Sequence, residues 1–187
     1  MTKISTKRIL ADQLKLLMKN KTIDKISISD ITTAVGVNRQ TFYYHFADIF
    51  DLLKWTIEQE SIIPLQVQTK QSWEKALPML FAYLEENREF ALSAIHSLGH
   101  DPFKRFFYQE VNGMIAGVVE KLGEGIEVEE KTRGFFSHFY TISISSLAIS
   151  WLQGEVEYSP DEMIQMLMTM IEEQTIGAKQ LYKNKIL

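Results

Sequence analysis

The fold class is decided by one short stretch, VGVNRQTFYYHF at residues 35–46, which predicts a tight turn between two helices. Glycine adopts a positive φ without steric penalty, so Gly36 predicts the end of the first helix. Two residues later, the Asn38 side chain can cap the first turn of a second helix. This spacing is typical of a helix-turn-helix.

The second helix of this stretch has two different faces. Four side chains that can hydrogen-bond recur at helical spacing and share one stripe: Arg39, Gln40, Tyr43 and Tyr44. Phe42 and Phe46 lie on the other side and can anchor the helix to a core. The pattern favours a DNA-reading helix, and the alternative is an ordinary helical hairpin whose polar face contacts only water.

The helix before the turn is also indicated. Ser27 and Asp30 have the spacing of a capping box, and Ile28, Ile31 and Val35 form an apolar stripe. A first helix of the motif is therefore expected to begin just after Ser27.

Residues 30–46, DITTAVGVNRQTFYYHF, resemble the N-terminal domain of TetR family regulators, whose pattern is D-I-A-x-x-A-G-V-S-x-x-T-hydrophobic-Y-x-Y/H-F. Two positions depart from that pattern. Asn38 replaces the usual Ser or Thr, and Ala47-Asp48 follows Phe46 where the family often has a lysine. The resemblance implies a DNA-binding transcriptional regulator, without the phosphate contact that such a lysine would make.

Charge is distributed unevenly along the chain, whose formal net charge is -4. Residues 1–54 hold nine Lys or Arg against five acids, whereas the remainder holds eleven against nineteen. Phosphate neutralisation supplies most non-specific DNA affinity, so the basic segment suits double-stranded DNA as a partner.

Several other classes of function are not supported by the sequence. There is no cysteine, no catalytic motif, no metal-ligand cluster and no phosphate-binding loop, so we expect no enzyme, catalytic residue, metal or cofactor. No apolar run approaches the ~20 residues that cross a bilayer, so we expect a cytoplasmic protein without a membrane partner. A helical adaptor that does not bind DNA remains an alternative.

Apolar spacing of three and four predicts an all-α fold of nine helices, the usual TetR family number. We expect a helix-turn-helix DNA-binding domain at 1–47, a connecting helix at 48–63 that ends at Pro64, and a dimerisation and signal-sensing domain at 64–187. Later helices are expected at about 72–86, 88–98, 103–122, 129–153 and 160–182. In the first helix, the basic residues Lys7, Arg8 and Lys15 are placed to meet solvent or phosphate.

The last two helices are apolar on more than one face. On the final helix, Ile164, Leu167, Met168 and Ile171 form one stripe, and Met163, Met166 and Met170 form a second. Two apolar faces indicate two partners, which predicts a homodimer built through a four-helix interface; the alternative is a helix buried within a monomer. The expected interface residues are Phe139, Ile142, Leu147, Trp151, Ile164, Leu167, Met168 and Ile171.

A dimer would carry two reading helices to half-sites of an inverted repeat. We expect Arg39 to read guanine and Gln40 to read adenine, because these side chains match those base edges. The other expected contacts are mainly to phosphate. The full set of expected DNA-binding residues is Ser27, Asn38, Arg39, Gln40, Thr41, Tyr43, Tyr44 and His45.

The signal is less clearly indicated. Residues that can line a ligand or coregulator site are Trp73, Tyr83, His96, Phe107 and Tyr140, although aromatic residues at helical spacing are more often core. His96 and His100 are four apart, but Gly99 between them argues against one continuous helix and hence against a metal pair.

Two segments, ISWLQG at 149–154 and SPDEM at 159–163, resemble a W-L-x-G…S-P-x-E-M signature. With these segments the chain resembles a TetR subgroup that includes an activator of a dihydroxyacetone kinase operon. The resemblance implies an activator that works with a kinase-like coregulator protein, which itself senses dihydroxyacetone. The alternative is a repressor released by a small hydrophobic ligand in the C-terminal domain.

Overall fold

The computed structural model describes residues 5–98, 100–125 and 128–184, and every regular element among them is helical. The α-helices are α1 (Thr6–Met18), α2 (Ile28–Val35), α3 (Arg39–His45), α4 (Ile49–Ile57), α5 (Ile63–Gln71), α6 (Ala76–Glu86), α7 (Arg88–Leu98), α8 (His100–Leu122), α9 (Glu130–Gln153) and α10 (Pro160–Asn184). A π-helical turn at Glu58–Ile62 joins α4 to α5 in one continuous helix. Counted in this way, the described residues form nine continuous α-helices. The all-α architecture of nine helices predicted from the sequence is confirmed for the residues that the structure describes.

Side-chain caps explain where several helices begin. The Asp48 carboxylate accepts a 2.8 Å hydrogen bond from the Asp51 amide at the start of α4. Ser159 and Glu162 form a reciprocal pair at the start of α10, where each side chain accepts from the other residue's amide. Such caps satisfy amides that the first turn of a helix leaves unpaired.

The predicted stop at Pro64 does not occur, because the helix that begins at Ile49 continues to Gln71. In the π turn, the Ile63 amide donates to the Glu58 carbonyl, five residues back rather than four. Proline lacks an amide proton and disrupts a regular ladder. The ladder is already interrupted at the preceding residue, so Pro64 follows this irregular turn without ending the helix.

The chain divides into two compact units, and the first contains Met1–Pro64 with Glu86–Phe103. Its core is formed by buried apolar residues from α1, α2, α3, α4 and α7: Leu10, Leu14, Met18, Ile31, Phe42, Leu52, Leu53 and Ala94. Helix α7 is fixed to this unit in part by Ser97, whose hydroxyl accepts a 3.2 Å hydrogen bond from the Ile23 amide.

A polar network lies inside the first unit and is centred on Glu60 in the π turn. The Glu60 carboxylate is 2.8 Å from the Arg8 guanidinium and 2.5 Å from the Lys15 ammonium, and its side chain is only 8% exposed. Lys15 also donates a 2.8 Å hydrogen bond to Asn87 Oδ1 and lies over the Phe90 ring. A buried carboxylate needs such partners because desolvation otherwise penalises its charge.

The second unit contains Leu65–Glu85 and Lys104–Leu187. Its core includes Phe81 and Trp151, whose rings meet edge to face with centroids 5.6 Å apart. Thr141 is fully buried and donates to the Ser137 carbonyl at 2.7 Å. Among the described residues, no helix is long and apolar enough to cross a lipid bilayer.

Candidate DNA-binding site

Helix α2 begins at a complete capping box. The Asp30 amide donates to Ser27 Oγ at 3.1 Å, and the Ser27 amide donates to Asp30 Oδ2 at 2.8 Å. The bond from the Ser27 amide, followed by that from the Ser27 hydroxyl, lowers the pKa of Asp30 below its ordinary value of 3.8. The predicted capping pair is confirmed, and it uses the Ser27 side chain to start the helix.

The turn after α2 depends on the left-handed backbone of Gly36, whose φ is 73°. Its amide reaches the Thr32 and Thr33 carbonyls, and the Val37 amide donates to the Thr32 carbonyl at 3.0 Å. These bonds satisfy carbonyls at the helix end. A Cβ at Gly36 would meet no atom within 4 Å, so the backbone angle alone favours glycine here.

Helix α3 has only seven residues and is capped on its first turn by Asn38. Asn38 Oδ1 accepts from the Thr41 amide at 2.8 Å and from the Thr41 hydroxyl at 3.0 Å. Isolated helices of this length are unstable in water. The cap and the buried face of α3 therefore decide whether this helix forms.

The buried face of α3 consists of Phe42, which is 0% exposed, and the following cap residue, Phe46, which is 3% exposed. The two rings lie 5.9 Å apart, and the Phe46 ring meets Trp55 of α4 edge to face at 5.7 Å. Both predicted anchors are confirmed, and they leave the opposite face of α3 open.

The open face carries the predicted reading stripe. Arg39 and Gln40 are exposed, Tyr43 is more than half exposed and Tyr44 is 84% exposed. His45 is half-buried, and its ring meets Tyr44 edge to face at 4.9 Å. Exposed guanidinium, amide and phenol groups on one short helix offer both donors and acceptors to a nucleic-acid surface.

The remaining predicted contact residues differ from this stripe. The side chains of Ser27 and Asn38 form helix caps, and the Thr41 hydroxyl is bonded to Asn38. Of the eight predicted residues, four are exposed on the stripe, three also hold the motif together, and one, His45, is half-buried.

The basic residues of α1 also separate into two groups. Arg8 and Lys15 form ion pairs with Glu60 within the first unit. Lys7 instead places its ammonium 5.5 Å from the Phe46 ring centroid and 5.7 Å from that of Trp55. The sequence analysis expected all three to meet solvent or phosphate. Local spacing could not predict the ion pairs with Glu60, because the two basic residues are 45 or more positions away from it in the chain.

The five predicted ligand or coregulator residues are distributed over both compact units. Trp73, Tyr83 and Tyr140 belong to the second unit, whereas His96 belongs to the first. His96 Nδ1 lies 2.8 Å from the Leu92 carbonyl, its neighbour on α7. The side chain of Phe107 lies outside the described residues. Among the residues described, no group of three or more His, Asp or Glu is arranged to hold a metal ion.

Two of these predicted residues, Trp73 and Tyr140, line cavities of the second unit. Trp73 lines a cavity of about 500 Å³ between α5 and α8, together with Gln66, Lys70, Glu110 and Lys121. Tyr140 lines a smaller cavity of about 90 Å³ between α8, α9 and α10 and donates to Gln174 Oε1. Burial raises the pKa of the Tyr140 phenol above 10.0, its ordinary value.

The predicted dimer residues divide by exposure. Phe139 and Ile142 of α9 are exposed, while Leu147, Ile164, Leu167 and Met168 are half-buried. Trp151 and Ile171 are already buried within the single chain, which leaves little of either side chain to contact a partner. The predicted second stripe of α10 is wrong for Met163, which is buried, whereas Met166 and Met170 are exposed. Apolar spacing along α10 did not distinguish the buried side of the helix from the exposed side.

A capped, short, exposed helix after a glycine turn in an all-α chain defines a helix-turn-helix regulator. Residues 71–173 match a family model described as the C-terminal region of transcriptional regulators, of the TetR type. This match covers more than half of the chain, and the protein belongs to that family. It is accordingly a transcriptional regulator rather than an enzyme.

Two relatives carry a more specific description. The chain is 34% identical over 88 residues to the HTH-type dhaKLM operon transcriptional activator DhaS of Lactococcus lactis subsp. lactis (strain IL1403). This match covers 46% of the chain and 47% of that protein, so the chain spans about half the length of its curated relative. It also resembles a solved structure of a dihydroxyacetone kinase operon activator DhaS, with a TM-score of 0.76 and 24% identity over 92% of the chain and 97% of that structure. At this identity the structural likeness concerns the fold.

Proposed function

We propose that this protein binds double-stranded DNA through α3 as a homodimer on an inverted repeat and activates a dihydroxyacetone kinase operon. The DNA-binding part rests on one observation, the exposed stripe of Arg39, Gln40, Tyr43 and Tyr44 on a helix whose opposite face is buried. Side chains of this kind recognise base edges in the major groove, where Arg pairs with guanine and Gln with adenine. Such a regulator acts in the compartment that holds DNA.

The DNA-binding proposal is tested by selecting genomic fragments with the purified protein and measuring affinity for the enriched duplex. Arg39→Ala and Gln40→Ala should each cost about 1–3 kcal/mol and relax the preference at one base pair. Lys70→Ala, an exposed cation of α5 in the second unit, is a control that should bind like the wild type. Unchanged discrimination in both α3 variants would contradict the assignment.

The homodimer is supported by the apolar surface that α9 and α10 leave uncovered. Phe135, Phe139 and Ile142 recur along one face of α9 and are exposed, as are Met166 and Met170 on α10. Helices with a second uncovered apolar face commonly pack against a twofold-related copy. The dimer would also bring two basic reading heads to one duplex, which fits an inverted-repeat operator.

The dimer is tested by sedimentation of the Ile142→Asp variant. Because Ile142 is exposed in the single chain, the change should leave the helical signal intact and convert dimer to monomer. Glu172→Lys is the control at an exposed charged position of α10. It changes the net charge by two units, in the direction opposite to Ile142→Asp, and should remain dimeric. A dimeric Ile142→Asp variant would argue against this interface.

The activator role is supported by the similarity to DhaS, an operon activator by its description. Together with the W-L-x-G…S-P-x-E-M segments, it favours a kinase-like coregulator as the partner that carries the signal. In a transcription assay on the selected fragment, the protein alone should have little effect, and adding the coregulator with dihydroxyacetone should raise transcript levels. Equal transcription with and without the coregulator would contradict the proposal that the protein activates together with a coregulator.

A second candidate function, a repressor released by a small ligand, is favoured by the cavity of about 500 Å³ beside Trp73. This volume lies within the range of small-molecule sites, and its lining combines apolar side chains such as Trp73 and Met114 with polar and charged ones. Release of the bound duplex by small metabolites in the absence of any protein partner would favour this candidate over the activator.

A further inference from the structure

Lys7, a cation beside the reading helix, is held by two aromatic rings, and no carboxylate of the described residues pairs with it. The Lys7 ammonium lies over both Phe46 and Trp55, at 5.5 and 5.7 Å from their ring centroids. Such contacts attract a cation through the ring faces and restrict its position. Lys7 is only half-buried, and its ammonium has three N–H donors, so the ring contacts leave it able to donate to a group outside the protein.

The neighbouring cations of α1 are engaged elsewhere. Arg8 pairs with Glu60 and with Asp12, and Lys15 pairs with Glu60 and Asn87. Lys7 has no ion pair or hydrogen bond with an acidic group among the described residues. Of the three basic residues in α1, Lys7 is therefore the one whose charge no described residue neutralises.

Lys7 also lies at the C-terminal end of the reading stripe. Phe46 is the cap residue of α3, and the rings of Tyr44, His45 and Phe46 follow one another at 4.9 and 6.4 Å. A recognition helix lies in the major groove, which is bordered by the two sugar-phosphate strands. A cation beside the end of α3 is thus close to where one of these strands would run.

The corner between α3 and α4 would otherwise repel that strand. Asp48 and Asp51 both lie there, and their carboxylates accept from the backbone amides of Asp51 and Ala47. Both acids are exposed, and no lysine stands at the head of α4. A phosphate that approached this corner would meet two negative charges and would need a nearby positive charge to offset them.

We propose that Lys7, held by the Phe46 and Trp55 rings, makes the phosphate contact at the α3–α4 corner of the reading head. This inference rests on the proposed DNA-binding function and assigns to α1 a contact that the head of α4 does not offer. The bound group is one non-bridging phosphate of the DNA backbone, so the contact contributes affinity and orientation but no base preference.

The test compares Lys7→Gln, Lys7→Arg and Lys19→Gln for binding to a duplex of mixed sequence and to the duplex enriched from genomic fragments, over a series of salt concentrations. Lys19 is an exposed residue that ends the same helix, so its change removes the same charge twelve residues away. For a dimer with two heads, Lys7→Gln should reduce the slope of log affinity against log salt by about 1.8 and weaken binding on the order of tenfold at moderate salt, equally for both duplexes. Lys7→Arg should restore both quantities, and Lys19→Gln should match the wild type.

Other results would overturn the inference. If Lys7→Gln keeps the wild-type slope, or lowers only the melting temperature and affinity while the slope is unchanged, then Lys7 acts through packing alone. If Lys7→Gln and Lys19→Gln reduce the slope equally, the effect is one of overall charge. Absence of salt-dependent binding by the wild-type protein to either duplex would instead refute the proposed DNA-binding function, which separates that failure from this one.

Discussion

The first compact unit contains short helices that side-chain caps secure, whereas the second contains the longest helices, of which α10 has a side-chain cap and α9 has none. Helix α3 has seven residues and an Asn38 cap, while α9 has 24 residues and begins without a side-chain cap bond. A short helix has a large share of unpaired amides and carbonyls, so losing one cap matters more to it.

The same contrast bears on function. In the first unit, caps and buried phenylalanines fix α3 so firmly that its outer side chains need no partner within the chain. In the second unit, α9 and α10 bury one side and leave exposed apolar residues such as Phe135, which is 64% exposed. One unit thus presents polar groups on a rigid element, and the other presents an apolar surface.

The largest expected effect tests the packing of the second unit. Phe81 is fully buried against Trp151, so Phe81→Ala should lower the free energy of unfolding by about 4 kcal/mol through lost burial and a residual cavity. Phe135→Ala is the matched control and should change it by less than about 0.5 kcal/mol when the protein is dilute enough to be monomeric. Urea unfolding followed by circular dichroism measures both, and equal losses would remove the distinction between the two aromatic positions.

A smaller effect is expected for the polar network of the first unit. Glu60→Leu leaves the half-buried Lys15 ammonium without its counter-charge and should cost about 3 kcal/mol. Asp12→Ala removes only the exposed partner of Arg8 and should cost under about 0.5 kcal/mol. The same urea measurement applies, and a tolerated Glu60→Leu would mean that apolar packing holds the first unit as well.

The smallest effect concerns the cap of α2 and its dependence on pH. The pKa of Asp30 is lowered in the folded protein by the Ser27 amide and hydroxyl, so the ionised carboxylate stabilises the fold above its ordinary pKa. This contribution is lost as the pH falls through the lowered value. The melting-temperature difference between wild type and Asp30→Asn should therefore be present at about pH 7 and shrink toward about pH 3. A difference that stays constant with pH would show that the ionised carboxylate does not contribute.

Local sequence signals predicted much of the motif. The caps at Ser27 and Asn38 and the glycine turn at Gly36 depend on residues that are close together in the chain, so spacing alone identified them. The helical class and most helix limits followed from apolar periodicity in the same way.

Features that depend on distant residues were not predictable from such patterns. The contacts of Lys15 with Glu60 and Asn87 join positions 45 and 72 residues apart. The packing of α7 in the first unit depends on Ser97 meeting the Ile23 amide, 74 residues away. Likewise, periodicity placed Met163 with Met166 because it gives the angle around a helix but not which neighbours cover it.

The π turn at Glu58–Ile62 also determines the angular positions of the side chains that follow it in the helix. A regular α-helix advances its side chains by about 100° for each residue, so a turn with one extra residue resets the angular phase of everything that follows. Removing one residue between Ile57 and Glu60 would turn the Glu60 carboxylate by about 100° away from Arg8 and Lys15. The polar network of the first unit therefore depends on the number of residues in this turn.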